Sequence, residues 1–365
     1  MKNERKEPKM KFRSDCAYAL MAPSSMGVRI TPADRQPVHI STLYRMQATS
    51  AETNVLSVSA ALGLRVKVLT RFVKDSPIAQ FIQGDLRRCG IDFEGKEIEQ
   101  GGPWGYRHQF NIADSGYGLR APRVLNDRAG EVGRTLSVHD FDLDRIFRKE
   151  GVQLLHVSGL IAALSPETSA FCLELVRTAR QAGTLVSFDL NYRASFWKKR
   201  EAELRAVFHE IASASDILIG NEEDFQLALG VPGPEAGGKN LKTGISGFQA
   251  MIERAQAMYP QVEMFATTLR EVLSANEHAW GALVWNQGWI HIEPRLIPVL
   301  DRIGGGDGFV GGLLYGLLKG WTPERCAQFG WASGALATSL LDDFALPADE
   351  EQVWSIWEGN ARVRR

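Results

Sequence analysis

Residues 300–320 read LDRIGGGDGFVGGLLYGLLKG. Gly304, Gly305, Gly306, Asp307 and Gly308 stand between a predicted strand at 296–300 and a predicted helix at 307–318. Glycine is costly inside regular structure, so a run of it marks backbone in unusual angles or backbone pressed close to a neighbour. Here the run ends where a helix begins. The first-turn N–H groups and the positive end of the helix dipole make an anion site. A carboxylate in such a site is repelled by a bound phosphate, so Asp307 needs a task there. Taking the proton from a hydroxyl as that hydroxyl attacks phosphorus is the task that fits. The plainer reading is a glycine turn with Asp307 as a helix cap.

Residues 306–311, GDGFVG, also match the dinucleotide pattern GxGxxG. That pattern requires a strand after its helix, ending in an acidic residue about 20 positions on. Residues 323–340 read instead as a second helix, and the absence of GK[ST] excludes a P-loop.

The 365-residue chain has a formal net charge of −1 and is 44% apolar. It is long enough for a substantial core in one large or two small domains. The near-neutral balance argues against nucleic-acid or membrane-surface binding driven by bulk charge. Apolar runs such as 217–220 and 311–318 are far too short to span a bilayer. Residues 1–14 are basic and lack an apolar signal core, so a disordered tail is expected. Cys16, Cys89, Cys172 and Cys326 form no CxxC pair. Free thiols in a reducing cytoplasm are the expectation.

Strand and helix signals alternate over most of the chain. Strands are predicted at 66–72, 154–158, 185–190, 217–220 and 262–267, and helices at 53–62, 76–88, 166–181, 201–213, 222–229 and 244–258. Residues 17–47 read as short strands. Residues 91–135 break the rhythm, with antiparallel strands predicted at 106–112 and 123–128. The expectation is an α/β fold over 15–365. A doubly wound, mostly parallel sheet is flanked by helices, with a small antiparallel β lid from about 17–50 and 91–135. Ligands in such sheets sit beyond the carboxyl ends of the strands.

Three polar stretches fall at those ends. Asp189-Leu190-Asn191-Tyr192-Arg193 follows a buried strand and is placed for a ligand, or for a loop that caps itself. Asn221-Glu222-Glu223-Asp224 follows the next. Its acids suit a hydrated magnesium ion, or a helix start enriched in acids for dipole reasons. In Thr267-Thr268-Leu269-Arg270-Glu271, Arg270 is placed to meet a phosphate, or to be a solvated loop arginine.

Together these loops resemble the ribokinase-like PfkB sugar kinases, and within them the bacterial 2-keto-3-deoxygluconate kinases. The resemblance runs from about residue 15 to 360. Its best motif is 301–312, DRIGGGDGFVGG, which matches the family signature except at Arg302. The runs HVSGL (156–160), SFDLNYRASFW (187–197) and TLRE (268–271) carry it further. The resemblance implies that Asp307 is the catalytic base and that Gly304, Gly305 and Gly306 form the hole for the moving phosphoryl group. It implies that Asp301 braces this loop, near a monovalent cation such as K+. ATP and Mg2+ are the implied cofactors. Asn221 and Asp224 fall at the metal and phosphate motif, and Asn191, Asn221, Thr268, Arg270, Gly304 and Gly306 at the nucleotide contacts. Arg193 matches the arginine that touches the sugar acid. Small β lids in this family pair between subunits, so a homodimer through the lid is expected.

The departures cluster in the N-terminal half. Relatives carry Gly-Glu near the first strand, where this chain has about Pro23-Ser24. Their Gly-Gly-Ala-Glu-x-Asn is here TSAETN (49–54), which keeps Asn54 but puts a side chain at Ser50 where sugar hydroxyls approach backbone. Two pocket tyrosines align with Asn111 and Asn126, whereas Arg128 is kept. The phosphate-handling half thus reads as intact and the sugar-reading half as rewritten. Lost polar contacts weaken discrimination by orders of magnitude, and lost aromatic walls remove apolar cover.

The leading expectation is ATP-dependent phosphorylation of a small sugar or sugar acid at a primary hydroxyl, with 2-keto-3-deoxygluconate to its 6-phosphate first. The alternatives are a fructose- or ribose-like substrate, a kinase-derived sugar-binding regulator that transfers nothing, and a dinucleotide oxidoreductase resting on GxGxxG alone.

Overall fold

A computed structural model of the chain describes residues 10–235 and 241–362. Its strands are β1 (Tyr18–Pro23), β2 (Gly27–Pro32), β3 (Tyr44–Thr49), β4 (Val66–Val73), β5 (Ile91–Ile98), β6 (Gln109–Asp114), β7 (Arg123–Asp127), β8 (Val152–Ser158), β9 (Leu185–Asp189), β10 (Ile217–Ile219), β11 (Met264–Ser274), β12 (Glu277–Trp285) and β13 (Trp289–Pro298). The helices are α1 (Ala51–Ala61), α2 (Pro77–Arg88), α3 (Gly159–Ala163), α4 (Pro166–Gln181), α5 (Ala194–Trp197), α6 (Glu201–Ser213), α7 (Glu222–Leu229), α8 (Leu241–Met258), α9 (Gly305–Leu318), α10 (Pro323–Thr338) and α11 (Glu350–Trp357).

Nine strands form one sheet in the order β13-β12-β11-β10-β9-β8-β1-β4-β5. It is parallel from β5 to β11, and β12 and β13 close it antiparallel. Successive side chains on a strand point to opposite faces, and both faces here are apolar. Leu20, Ala22, Val68, Ile217, Ile219 and Met264 join the core under α1, α9 and α10. Met21, Leu69, Leu155, Phe188, Leu218 and Phe265 join the core under α4, α6 and α8. Continuous apolar strands are what a sheet covered on both sides requires. Each fully buried Leu, Ile or Phe contributes about 1.5–3 kcal/mol.

The second sheet has the order β3-β2-β6-β7. Its outer pairs are antiparallel, and β2 and β6 run parallel in its centre. Residues 17–50 and 91–135 were both expected in this lid. Instead β1 and β5 pair with β4 in the large sheet. For β1 the reason is its two apolar faces, which demand cover that a solvent-facing lid lacks. The disordered tail expected over 1–14 does not hold for residues 10–14. Residues 1–9 lie outside the described residues, but Met10 and Phe12 pack against the core. Arg13 donates to the carbonyls of Phe147 and Ala182 at 2.8 and 3.0 Å. No described helix is long and apolar enough to cross a membrane.

Candidate active site at the carboxyl edge of the sheet

The start of α9 sits beyond the carboxyl ends of the parallel strands. Gly304 is its N-cap, with a left-handed φ of 82°. An added Cβ there would lie 2.8 Å from the Asp343 carbonyl oxygen, so only glycine fits. The Gly308 N–H bonds the Gly304 carbonyl at 2.7 Å and closes the first turn. The N–H groups of Gly305, Gly306 and Asp307 precede that bond and have no intrahelical partner. At Gly306 an added Cβ would meet nothing within 4 Å, so this turn faces open space. Farther along, Gly312 lets α10 close in, since a Cβ there would lie 2.7 Å from Ser333 Cβ and 3.0 Å from Gly330 Cα. The glycines thus serve both an open amide turn and a tight helix pair behind it.

Asp307 is in the first turn of α9 and only partly buried. Its Oδ2 accepts Asn54 Nδ2, from α1, at 2.7 Å. Desolvation pushes its carboxyl up to about 7. The Asn54 bond and the Arg193 charge pull the other way, while Asp343 and Glu52 push it further up. A carboxylate poised near neutrality suits a general base. Asn54 Oδ1 is buried with no partner, which leaves an acceptor beside the carboxylate for a ligand hydroxyl.

Arg193 follows β9, is exposed, and donates to the Tyr192 carbonyl at 2.9 Å. Its charge acts on Asp189, Asp224 and Asp307 together, so it faces the same cleft. Burial holds Asp189 well above the usual carboxylate range, and the charges of Asp224 and Asp307 add to that. Asn191 has a φ of 36° and a buried Oδ1 with no partner.

Asn221 and Asp224, expected at the metal, form a reciprocal cap on α7. The Asp224 N–H donates to Asn221 Oδ1 at 2.9 Å, and the Asn221 N–H to Asp224 Oδ2 at 2.8 Å. Asp224 Oδ1 accepts the Tyr192 N–H at 2.8 Å. Burial raises this carboxyl to about 6, against those backbone bonds. Main-chain N–H groups thus engage both Asp224 oxygens and pin the β9 loop to α7, the helix-start geometry that was the other expectation for this stretch. Among the described residues no cluster of three or more His, Cys, Asp or Glu has metal-binding geometry. Asp189 and the partnerless Asn191 oxygen are the donors that fit a hydrated Mg2+, which takes one or two carboxylates and leaves the rest to phosphates and water.

Thr268 and Arg270 were expected in a loop but lie within β11, which runs on to Ser274 as a hairpin with β12. Partial enclosure and the neighbouring Arg302 charge push Arg270 down to about 10. Two guanidinium groups held this close form a surface suited to an anion.

Asp301 does not face the cleft. It is 1% exposed, and its Oδ2 accepts Arg29 Nη2, from β2. The Arg29 Nη1 reaches Asp343 Oδ1.

On the sugar side, Ser50 is the N-cap of α1, and its hydroxyl accepts the Thr53 N–H at 3.1 Å. The side chain expected to narrow the pocket is turned onto its own helix. Asn111 and Asn126 stand directly opposite each other on β6 and β7, as one cross-strand pair, and Asn111 Oδ1 is buried without a partner. Arg128 donates to Glu131 Oε1 at 2.5 Å and lies 5.2 Å from the Phe196 ring centroid. Ser25 donates to the same Glu131 oxygen at 2.5 Å. Glu131 thus supplies a carboxylate beside the place where the resemblance expects one after the first strand.

Four site residues escaped the sequence reading: Glu52, Glu131, Arg29 and Asp343. Glu52 is fully buried and accepts the Ser24 hydroxyl at 2.6 Å and that of Ser158. Burial raises its pKa despite those bonds. Its signal was the kept glutamate of TSAETN. Arg29 and Asp343 gave none, since the partners that bind them are 272 to 314 positions away, and Glu131 is joined to Ser25 across 106 positions.

The pfkB family carbohydrate kinase model matches residues 137–341. A 2-dehydro-3-deoxygalactonokinase of Haloferax volcanii is 24% identical over 93% of this chain and 96% of its own. The crystal structure of a 2-dehydro-3-deoxygluconokinase from Thermotoga maritima superposes with a TM-score of 0.83 at 25% identity, covering 94% of this chain and 99% of that one. A ribokinase II-type protein from E. coli, solved with ATP and Mg2+, shares the fold with a TM-score of 0.72 at 16% identity over 94% and 99%. The match spans more than half of the sequence and includes the glycine turn, its aspartate and the strands that place them: the chain belongs to the PfkB family of carbohydrate kinases.

Proposed function

We propose that this kinase transfers the γ-phosphoryl group of ATP to a primary hydroxyl of a small sugar acid of the 2-keto-3-deoxygluconate class. The observation that carries the reading is the Asp307 carboxylate, raised to about 7 and set in the Gly304–Asp307 turn, where the amides of Gly305, Gly306 and Asp307 have no intrahelical partner. Asp307 takes the hydroxyl proton while Asn54 holds its carboxylate in line. The amides stabilise charge growing on the phosphoryl oxygens. Mg2+, when bound near Asp189 and Asn191, neutralises charge on the nucleotide phosphates. Arg270 and Arg302 hold the phosphate tail, and Arg193 meets the substrate carboxylate. Among the described residues Arg193 has no carboxylate within ion-pair distance, whereas Arg128 is neutralised by Glu131. On this reading Arg193, rather than Arg128, is the arginine open to the sugar acid.

The small sheet covers the substrate and pairs with a second copy. Its surface exposes Tyr44, Met46 and Leu125 on one side, in register through Ile30 and Ile112, an apolar face that a solvated sheet otherwise avoids. Four free cysteines support a reducing compartment such as the cytoplasm. The test is a screen of ATP consumption over 2-keto-3-deoxy sugar acids, aldonic acids and ketoses. Turnover confined to the keto-deoxy acids is expected. Turnover of neutral ketoses alone overturns the sugar-acid assignment.

A further inference from the structure

Arg29 is fully buried, and it links the small sheet to both sides of the glycine turn. Its Nη2 donates to Asp301, at the start of the turn, and its Nη1 to Asp343. The Asp343 backbone is what Gly304 packs against. Other donors reach the same two carboxylates. Asp301 Oδ1 accepts the Ile303 N–H at 3.1 Å. Asp343 Oδ2 accepts the Thr49 hydroxyl at 2.5 Å, and its Oδ1 also accepts Gln47 Nε2 at 3.2 Å. Each of the four carboxylate oxygens has a donor. A monovalent cation at Asp301, as the resemblance implied, needs one of those oxygens and a net negative site. The guanidinium places one positive charge between the two carboxylates and, with the Ile303 N–H, takes an acceptor position on each Asp301 oxygen, so it stands where an inorganic cation at Asp301 would bind. Burial alone would lower the Arg29 pKa, but Asp343 and Asp301 together hold it above its ordinary value.

We propose that Arg29 is the positioning residue of the anion hole, a tethered cation that fixes Asp301 and Asp343 around Gly304, so that turnover needs no added monovalent cation. The inference rests on the reading that the Gly304–Gly306 amides grip the moving phosphoryl group. A planar fork spans two carboxylates at fixed spacing, which a lysine ammonium cannot do. It also ties β2 to the turn, so the sheet over the substrate and the amides over the phosphate share one strut.

The test compares the wild type, Arg29→Lys and Arg29→Ala in buffers whose only cations are Mg2+ and a bulky organic amine, before and after adding K+. Wild-type kcat is expected to change by less than about twofold. Arg29→Lys is expected to lose about tenfold or more in kcat with KM for ATP nearly unchanged, the mark of a contact that matters in the transition state. Arg29→Ala is expected to lose more, and guanidinium chloride or K+ to restore part of it. The same pattern is read without turnover in melting curves, where K+ raises the Tm of Arg29→Ala but not of the wild type. Strong K+ activation or K+ stabilisation of the wild type overturns the proposal, as does a folded Arg29→Lys with wild-type kcat. A wild type that phosphorylates no sugar refutes the kinase reading of the site instead, and the melting curves still decide on Arg29. If Arg29→Ala does not fold, the wild-type and lysine measurements decide.

Discussion

The glycine turn and the small sheet are tied together by Arg29, yet they are built differently. At the turn, backbone does the work: Gly304 is held at a φ of 82° and Gly306 opens onto free space. On the sugar side, side chains do it: Asn111 faces Asn126, and Arg128 is shared with Glu131 and Phe196. Phosphoryl transfer makes the same demand on every substrate, so its machinery is main-chain geometry that few residues satisfy. The proposed function gives sugar recognition to side chains, which are exchangeable one at a time.

Replacing the base should break the first region outright. Asp307→Asn is expected to lower kcat by about 10³-fold, within the range for removing a general base, while ATP affinity measured by calorimetry stays unchanged. Wild-type turnover in that variant removes Asp307 from the chemistry. Arg193→Ala should raise KM for a sugar acid by about tenfold, the cost of roughly 1.4 kcal/mol of binding, and leave neutral sugars untouched. Because Arg193 pulls the Asp307 carboxyl down, the same variant should shift the acid limb of the pH–rate profile upward. Glu131→Gln sharpens the contrast from the sugar side. It removes the carboxylate that neutralises Arg128, so KM for a sugar acid should fall severalfold. An unchanged KM places Arg128 outside the substrate pocket.

The smallest effect concerns stability. Folded Asp307 keeps its proton up to about 7, against an ordinary value of 3.8. Between those values the folded chain binds the extra proton. The contribution of this group to stability is full below about 3.8 and is lost as pH rises through about 7. Asparagine does not ionise. Asp307→Asn should therefore melt above the wild type at pH 8 and close to it at pH 4, by scanning calorimetry.

How much was legible follows the same division. The 304–308 run announced a special turn because glycine is the one residue whose conformational latitude is written in its identity. The strands of the large sheet were legible from their apolar runs. β5 was not, because IDFEGKEI is polar at alternate positions and reads like a lid strand; only pairing with β4 settles it. Asp224 was read as a ligand because an acid after a strand looks the same whether it binds metal or caps a helix. Here both its oxygens accept backbone N–H groups from two loops, contacts that folding alone brings together. Arg29 lay in an ordinary strand pattern, VRITP, and its partners Asp301 and Asp343 are brought to it by folding alone.

The most direct test is the pH dependence of kcat/KM for the sugar that the wild type phosphorylates, measured under conditions where chemistry limits the rate. The account predicts a limb of unit slope that rises with pH, bends near pH 7 and disappears in Asp307→Asn. A rate that is flat from pH 5 to pH 9, or a limb that survives in Asp307→Asn, contradicts it.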